Sequence, residues 1–135
     1  MKSFIAICIC IVVATQAHSL TKEELEKVKT YKTDCAKDSG VSAKVAEDTN
    51  KGVFPADPKL KEFLFCLSKK VGYLNDTGDF QLTTINDKVT ANHGQETARD
   101  VVAPCTQKKG SSGQETSLAL AKCFYEKSKQ HIALA

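Results

Sequence analysis

The signatures of enzyme active sites are absent from this sequence. It contains no HExxH metal motif, no GxSxG nucleophile motif and no glycine-rich phosphate loop. Its only histidines are His18, His93 and His131, and the scattered acidic residues define no pair of carboxylates. The sequence therefore predicts no enzyme activity, no catalytic residue and no cofactor. We expect His93, which precedes Gly94, to be a solvated residue at a helix end.

A concentration of charge of one sign is also lacking. The chain has 19 Lys and Arg residues against 16 Asp and Glu residues, and the two signs alternate along it. Nucleic-acid binding needs a clustered basic patch that neutralises phosphates. No nucleic-acid partner is expected, and the lysines are interpreted as part of a solvated surface.

The amino-terminal apolar run, residues 4–14, is too short to span a bilayer, which requires about 20 residues. It follows Lys2 and precedes the small residues Ala17 and Ser19, a pattern typical of secretory signal peptides. We predict a signal peptide at residues 1–19 and a single secreted domain at residues 20–135. Cleavage after Ala17 and a buried amino-terminal helix are the alternatives.

Cysteine is the informative residue in the predicted domain. Of the six cysteines, Cys8 and Cys10 would leave with the signal peptide. An even number in a small secreted chain predicts two disulfides, and four cysteines allow three pairings. A zinc site is the alternative, but structural zinc sites need CxxC-type pairs and the chain has none. The remaining cysteines are Cys35, Cys66, Cys105 and Cys123.

Sparse glycine and proline residues separate segments with helical periodicity. Thr21 with Glu24, and Ser112 with Glu115, have the spacing of capping boxes at helix starts. Pro104 lies inside a helical pattern, where it should kink the helix or begin a new turn. The pattern predicts an all-α fold of about six short helices and no strand. The expected helices lie near residues 21–40, 42–50, 57–72, 82–94, 98–105 and 112–125.

Apolar residues recur at steps of three and four along these segments, which predicts buried helix faces. In the first helix the stripe is Leu25, Val28, Tyr31 and Cys35, and in the third it is Leu60, Phe63, Leu64, Leu67 and Val71. Between helices, residues 75–79 are rich in turn formers. Asn75-Asp76-Thr77 is also a glycosylation sequon, although a plain loop is the favoured interpretation. Residues 131–135 form a short apolar tail.

Short helices cannot form the long seam of a regular bundle, so they must cross at large angles around a common centre. Such packing leaves a concave interior more readily than a parallel bundle does. An empty apolar cavity is costly, at about 24 cal/mol per Å³ in core truncations, and a ligand that fills it recovers part of that cost. The pattern thus favours a hydrophobic cavity, and a solid apolar core is the alternative.

The spacing of helices and cysteines resembles the insect odorant-binding protein family, in particular its four-cysteine "minus-C" branch. Cys35 and Cys66 match the first and third cysteines of the family, and Cys105 and Cys123 match the fourth and sixth. The second would fall at Glu62 and the fifth near Gln114, so both partners of one family disulfide are missing together. The segment 66–70, followed by Tyr73-Leu74 and a polar loop to Phe80, also resembles the family.

This resemblance implies the pairings Cys35–Cys66 and Cys105–Cys123, and a cavity that binds volatile or lipid-like compounds. The missing bridge implies a looser third helix, which would widen the ligand range or allow opening. A pH trigger through His93 is a speculative addition. Carried over from the family, with Ile85 and Val89 added from their helical stripe, the expected ligand-binding residues are Val28, Phe54, Leu64, Ser68, Tyr73, Leu74, Phe80, Ile85, Val89, Val102 and Phe124.

The predicted function is a secreted carrier of small hydrophobic ligands such as odorants, pheromones or related lipids. Tyr73 or Ser68 would act as a polar handle that orients the ligand. The expected partners are the ligand and, at delivery, a membrane receptor, and the expected state is a monomer or weak homodimer. One alternative is a non-olfactory haemolymph or glandular lipid carrier of the same fold. The other is a secreted helical signalling or interaction protein that has a solid core and no ligand pocket.

Overall fold

The computed structural model describes residues 21–135. The predicted signal peptide, residues 1–19, lies outside the described residues, and the domain boundary after it stays a prediction. Within residues 21–135 the chain forms helices joined by short turns, and an isolated antiparallel bridge pairs Leu74 with Phe80. The all-α prediction is confirmed. The helices are α1 (Lys22–Ser39), α2 (Ala43–Asp48), α3 (Pro58–Val71), α4 (Leu82–His93), α5 (Gln95–Cys105) and α6 (Gly113–Lys127).

The helix ends follow the capping residues in the sequence. Thr21 and Glu24 form a complete capping box at the start of α1, which satisfies two otherwise unpaired backbone N–H groups. At the start of α6, the Ser112 hydroxyl accepts from the Glu115 N–H, but the Glu115 carboxylate pairs with Lys61 of α3. The second capping box is therefore only half formed, because its carboxylate makes a contact between helices instead.

Two other expectations need correction. Pro104 lies in the last turn of α5, which runs through it and ends at the next residue, so no new helical turn begins there, and a kink at Pro104 stays a prediction. A proline in the last turn removes one backbone donor without interrupting a long helix. In α1 the predicted apolar stripe is buried only at Cys35, and Leu25 is exposed. The first half of α1 thus contributes little to the core.

The core lies between α3, α4, α5 and α6. The largest fully buried side chains include Phe124, Leu60, Leu64 and Ile85. Leu60 and Leu64 lie one helical turn apart on α3, as the periodicity predicts, while the other two come from α6 and α4. The core therefore depends on contacts between helices that are distant in sequence.

Two disulfides fix the helices to one another, with the pairings that the family resemblance implies. Cys35–Cys66 joins α1 to α3 and spans 31 residues, and Cys105–Cys123 joins α5 to α6 and spans 18 residues. In the chain-entropy model, loops of these lengths contribute about 3.7 and about 3.2 kcal/mol of stability. For a small domain these contributions are a large share of a net stability of about 5–15 kcal/mol.

The two positions of the missing family bridge face each other across α3 and α6. The Gln114 side-chain amide donates to the Glu62 carboxylate, with Nε2 and Oε1 3.1 Å apart. The adjacent residues Lys61 and Glu115 form an ion pair between the same two helices. Because this surface is partly exposed, these polar contacts stabilise the helix pair much less than a disulfide would. Their contact agrees with the loss of one bridge, and the assignment of these positions to the two missing cysteines stays a prediction.

The polar loop after α3 is a compact turn. The Asn75 side-chain oxygen accepts from the backbone N–H groups of Thr77, at 3.1 Å, and Asp79, at 2.9 Å. Hydrogen bonds from Lys109, and then from Thr77 and Asn75, lower the pKa of the Asp79 carboxyl to about 2. These contacts tie the loop to the segment before α6. The loop prediction is confirmed, and glycosylation of Asn75 remains untested.

The last residues, 128–135, fold back onto the helices and are called the C-terminal tail below. Ile132 and Leu134 are buried, and the Ile132 N–H donates to the Ser128 hydroxyl at 2.8 Å. The Ser128 hydroxyl in turn donates to the Phe124 carbonyl at 2.6 Å. Between them His131 adopts a positive φ of 51° and its ring stacks on Tyr125. Ser128 therefore fixes the direction in which the tail leaves α6.

Candidate ligand-binding site

A cleft of about 230 Å³ lies between α1, α2, α3 and the C-terminal tail. This volume exceeds the roughly 150 Å³ of an apolar cavity that is known to hold benzene. The cleft is partly open to solvent, so a ligand could enter without unfolding a helix. Its walls are Lys32, Ala36, Ala46, Glu47, Thr49, Asn50, Phe63, Leu64, Leu67, Ala133, Leu134 and Ala135.

The inner surface of the cleft is apolar and well supported. Phe63, Leu64 and Leu67 come from consecutive turns of α3, and all three are buried. Leu134 of the tail, only 5% exposed, forms the opposite side. Since these residues are held by the core or by the tail, the apolar wall is formed before any ligand arrives.

The rim of the cleft is polar. Glu47 lies on α2, and Thr49 and Asn50 belong to the short 3-10 helix that follows it. Lys32 of α1 is half-buried, and burial lowers the pKa of its ammonium group below the usual value. Among residues 21–135, Lys32 belongs to none of the ion pairs within 4.0 Å. Its charge is therefore partly desolvated and has no close partner in the described part of the chain.

Most of the residues predicted to bind ligand are not among those that line the cleft. Of the predicted residues, Leu64 lines the cleft. Val28, Phe54 and Phe80 are half-buried, and the last two pack against the core. The others are buried: Ser68, Tyr73, Leu74, Ile85, Val89, Val102 and Phe124. Whether any of them touches a ligand stays a prediction.

Sequence reasoning did not select most of the cleft residues. Phe63 and Leu67 share the predicted apolar stripe of α3 with Leu64, so that stripe was a usable signal. Leu134 lies in the short apolar tail, whose position depends on the fold-back at Ser128. No sequence pattern distinguished Lys32, because a lysine on a helix is usually solvated.

Two side chains with hydroxyl groups, Ser68 and Tyr73, lie inside the core. The Ser68 hydroxyl is fully buried and makes no hydrogen bond within the part of the chain that the structure describes. Tyr73 is also buried, and burial raises the pKa of its phenol to about 12. Its ring packs edge-on against Phe124, with centroids 6.1 Å apart. These are the two residues predicted as polar handles, and both hydroxyl groups remain candidates for a ligand contact.

The buried hydroxyl groups of Ser68 and Ser128 allow a paired test of whether each one is hydrogen-bonded. Ser68→Ala removes an unsatisfied hydroxyl, so we expect the free energy of unfolding to rise by about 1 kcal/mol. Ser128→Ala removes a hydroxyl that is equally buried but makes two hydrogen bonds, so we expect a loss of about 1–3 kcal/mol. Urea denaturation of the two variants measures both changes. A loss of stability in Ser68→Ala would mean that its hydroxyl is satisfied in solution.

His93 differs from the prediction of a solvated helix end. It is the last residue of α4 but is half-buried, and this burial lowers the pKa of its imidazole. The imidazole is therefore neutral over a wider pH range than an exposed one. His93 is not among the residues that line the cleft, so the cleft geometry offers no direct role for it.

The described residues contain neither a cluster of metal-ligand side chains nor a helix suited to span a membrane. Residues 21–135 contain no group of three or more His, Cys, Asp or Glu side chains placed to hold a metal ion. In the same range, none of the helices combines the length and hydropathy that a membrane span requires.

The chain is similar to several known proteins along most of its length. A B1 protein of Tenebrio molitor is 31% identical over 114 residues, covering 84% of this chain and 85% of that protein. Among solved structures, a fatty acid binding protein, OBP56a, from the oral disk of the blowfly Phormia regina is 30% identical. It has a TM-score of 0.65, and the match covers 84% of this chain and 98% of that one.

A second solved structure, the THP12 carrier protein from yellow meal worm, is 36% identical with a TM-score of 0.56. That match covers 73% of this chain and 91% of the other. The PBP/GOBP family profile matches residues 17–127, which is most of the chain. This family consists of carriers rather than enzymes. With its six helices and two disulfides, the chain belongs to the PBP/GOBP family of insect odorant-binding proteins.

Proposed function

We propose that this protein is a secreted carrier that binds a small hydrophobic molecule in the cleft between α1, α2, α3 and the C-terminal tail. The observation that supports it is the apolar wall of Phe63, Leu64, Leu67 and Leu134 around a space of about 230 Å³. Each Å² of apolar surface that a ligand buries there contributes about 25 cal/mol. Because the α3 part of this wall is held in place by the core, little of this free energy is spent on ordering it.

The tail gives the cleft a side that can move. Its residues beyond Ser128 are held by a few hydrogen bonds and two buried side chains, whereas the α3 side is fixed by the core and a disulfide. Local opening takes place where few buried contacts must be broken. We therefore place ligand entry and release at the tail side of the cleft.

Relatives support a carrier of lipid-like compounds. The blowfly relative is described as fatty acid binding and the meal worm relative as a carrier protein. Secretion is supported by the two disulfides, which persist in oxidising compartments, and by the predicted signal peptide. Delivery to a membrane receptor, and a monomeric or weakly dimeric state, remain predictions.

A non-olfactory carrier is the second candidate. The observation that favours it is that the 36% identical meal worm relative is described as a carrier protein, without mention of odorants. Both candidates use the same cleft and the same physical mechanism. Tissue expression separates them: transcripts confined to sensory appendages support olfaction, and transcripts in fat body or glands support the non-olfactory role.

Titration with N-phenyl-1-naphthylamine, a fluorescent apolar probe, tests the carrier function. We expect saturable binding of one probe molecule per chain. Ala46→Phe places a ring at the cleft wall and should weaken binding by at least about tenfold, or 1.4 kcal/mol. Ala43→Phe, on the exposed surface of the same helix, is the matched control and should leave binding unchanged.

Two results would contradict the proposal. One is the absence of saturable probe binding to the folded, fully oxidised protein, which would favour a helical signalling or interaction protein. The other is equal probe affinity in Ala46→Phe and Ala43→Phe, which would place binding outside this cleft.

A further inference from the structure

We infer that the cleft selects ligands with a monoanionic carboxylate head, which Lys32 binds while the hydrocarbon chain lies against Phe63, Leu64 and Leu67. The inference rests on the proposed function and adds the chemical class of the ligand and the residue that recognises it. Every ligand of this class has a single negative charge joined to an apolar chain.

Lys32 lies at the wall of the cleft. It lies on α1 one helical turn before Ala36, and both residues line the cleft. Residues four apart on a helix lie on one face, so the lysine and the small alanine form one side of the cleft together. The small side chain of Ala36 leaves room beside the lysine, next to the apolar wall from α3.

The ammonium group of Lys32 is partly buried and has no counter-ion, since Lys32 is half-buried and forms no ion pair within the described residues. Among the lysines of residues 21–135, it is the one that lines the cleft. A partly desolvated ammonium group without a counter-ion has lost water and gained no compensating partner. A ligand carboxylate would supply that partner, and such charge-assisted hydrogen bonds are about twice as strong as neutral ones.

The carboxylate of Glu47 at the rim determines which anion fits. Glu47 lines the cleft but forms no ion pair with Lys32 within the described residues, so the ammonium group is left for a ligand. Repulsion from this carboxylate disfavours a dianion such as a phosphate monoester. One positive group beside one negative group therefore favours a ligand with a single negative charge.

A matched pair of ligands tests the inference. Dodecanoate and dodecan-1-ol have the same chain length, and only the acid is charged at neutral pH. Each displaces N-phenyl-1-naphthylamine from wild-type protein and from three variants: Lys32→Gln, Lys32→Arg and Lys37→Gln. Lys37→Gln makes the same change of charge at an exposed position of α1 that does not line the cleft.

We expect Lys32→Gln to weaken dodecanoate binding about tenfold, because it removes a charged hydrogen bond, while dodecan-1-ol binding stays unchanged. Lys32→Arg should keep most of the affinity for the acid, and Lys37→Gln should match the wild type for both ligands. The inference is overturned if Lys32→Gln weakens both ligands equally, or neither, or if Lys37→Gln weakens the acid as much. If the alcohol binds and only this selectivity fails, the carrier function stands, whereas failure of both ligands and the probe removes it too.

Discussion

Replacing Glu62 and Gln114 by cysteine should create a third disulfide between α3 and α6. The two side chains already touch, at 3.1 Å, and the new bridge would close a loop of 52 residues. In the chain-entropy model such a loop raises the free energy of unfolding by up to about 4 kcal/mol. Urea denaturation of the oxidised double variant measures the gain, and a free-thiol assay reports whether the bridge has formed.

The matched control is the double variant Glu62→Ser with Gln114→Ser, which removes the hydrogen bond and adds no bridge. We expect its stability to change by less than about 1 kcal/mol, because both residues are on the surface. A bridge that forms but gives no gain would mean that α3 and α6 already stay together in the unfolded ensemble.

The same double variant addresses the proposed looseness of α3. This helix supplies Phe63, Leu64 and Leu67 to the cleft, so a bridge to α6 restricts the movement of one wall. Because release is proposed at the tail side, we expect equal release rates of the fluorescent probe in the bridged variant and the serine control, measured by stopped-flow displacement. Slower release in the bridged variant would mean that α3 also moves, as the missing family bridge implies.

Phe124→Ala should lower the free energy of unfolding by about 3–5 kcal/mol, since the ring is fully buried and its removal leaves a cavity. The ring also packs edge-on against Tyr73, an interaction that adds about 0.5–1.5 kcal/mol to simple burial. A loss of this size approaches the whole stability of a small domain. Thermal unfolding followed by circular dichroism, together with urea denaturation, measures the change.

Phe54→Ala is the control for this substitution. Phe54 is half-buried in the segment between the 3-10 helix and α3, and it packs against the edge of the core. We expect less than half the loss seen for Phe124→Ala, because less surface is removed from the core. Similar losses in both variants would contradict the position of Phe124 at the centre of the core.

The local features of the chain followed from the sequence because their causes are local. Thr21, Asp57 and Ser112 begin helices with their side chains, since a hydroxyl or carboxylate there satisfies free backbone N–H groups. The stripe on α3 predicted its buried face, because its residues repeat with the period of the helix. The cysteine spacing, through the family resemblance, also gave the correct disulfides and the positions that face each other at Glu62 and Gln114.

The capping box at Ser112 failed for a reason that only the assembled helices reveal. Glu115 has the correct spacing to cap its own helix, but the approach of α3 brings Lys61 within reach. A charge-assisted hydrogen bond from the Lys61 ammonium group then occupies the carboxylate that would otherwise accept from the backbone N–H at the helix start. A contact between residues 54 positions apart has no trace in the local sequence.

The sequence by itself determined the helices and most of their caps, and the family resemblance added the disulfide pairing, because each depends on short-range chemistry or on residue spacing. The tertiary structure decided where the candidate site lies. The cleft exists because the tail turns back at Ser128 and packs near α3, and Lys32 lines it because α1 is held to α3 by Cys35–Cys66. The space between elements is set by how they pack, and packing depends on contacts that no single segment encodes.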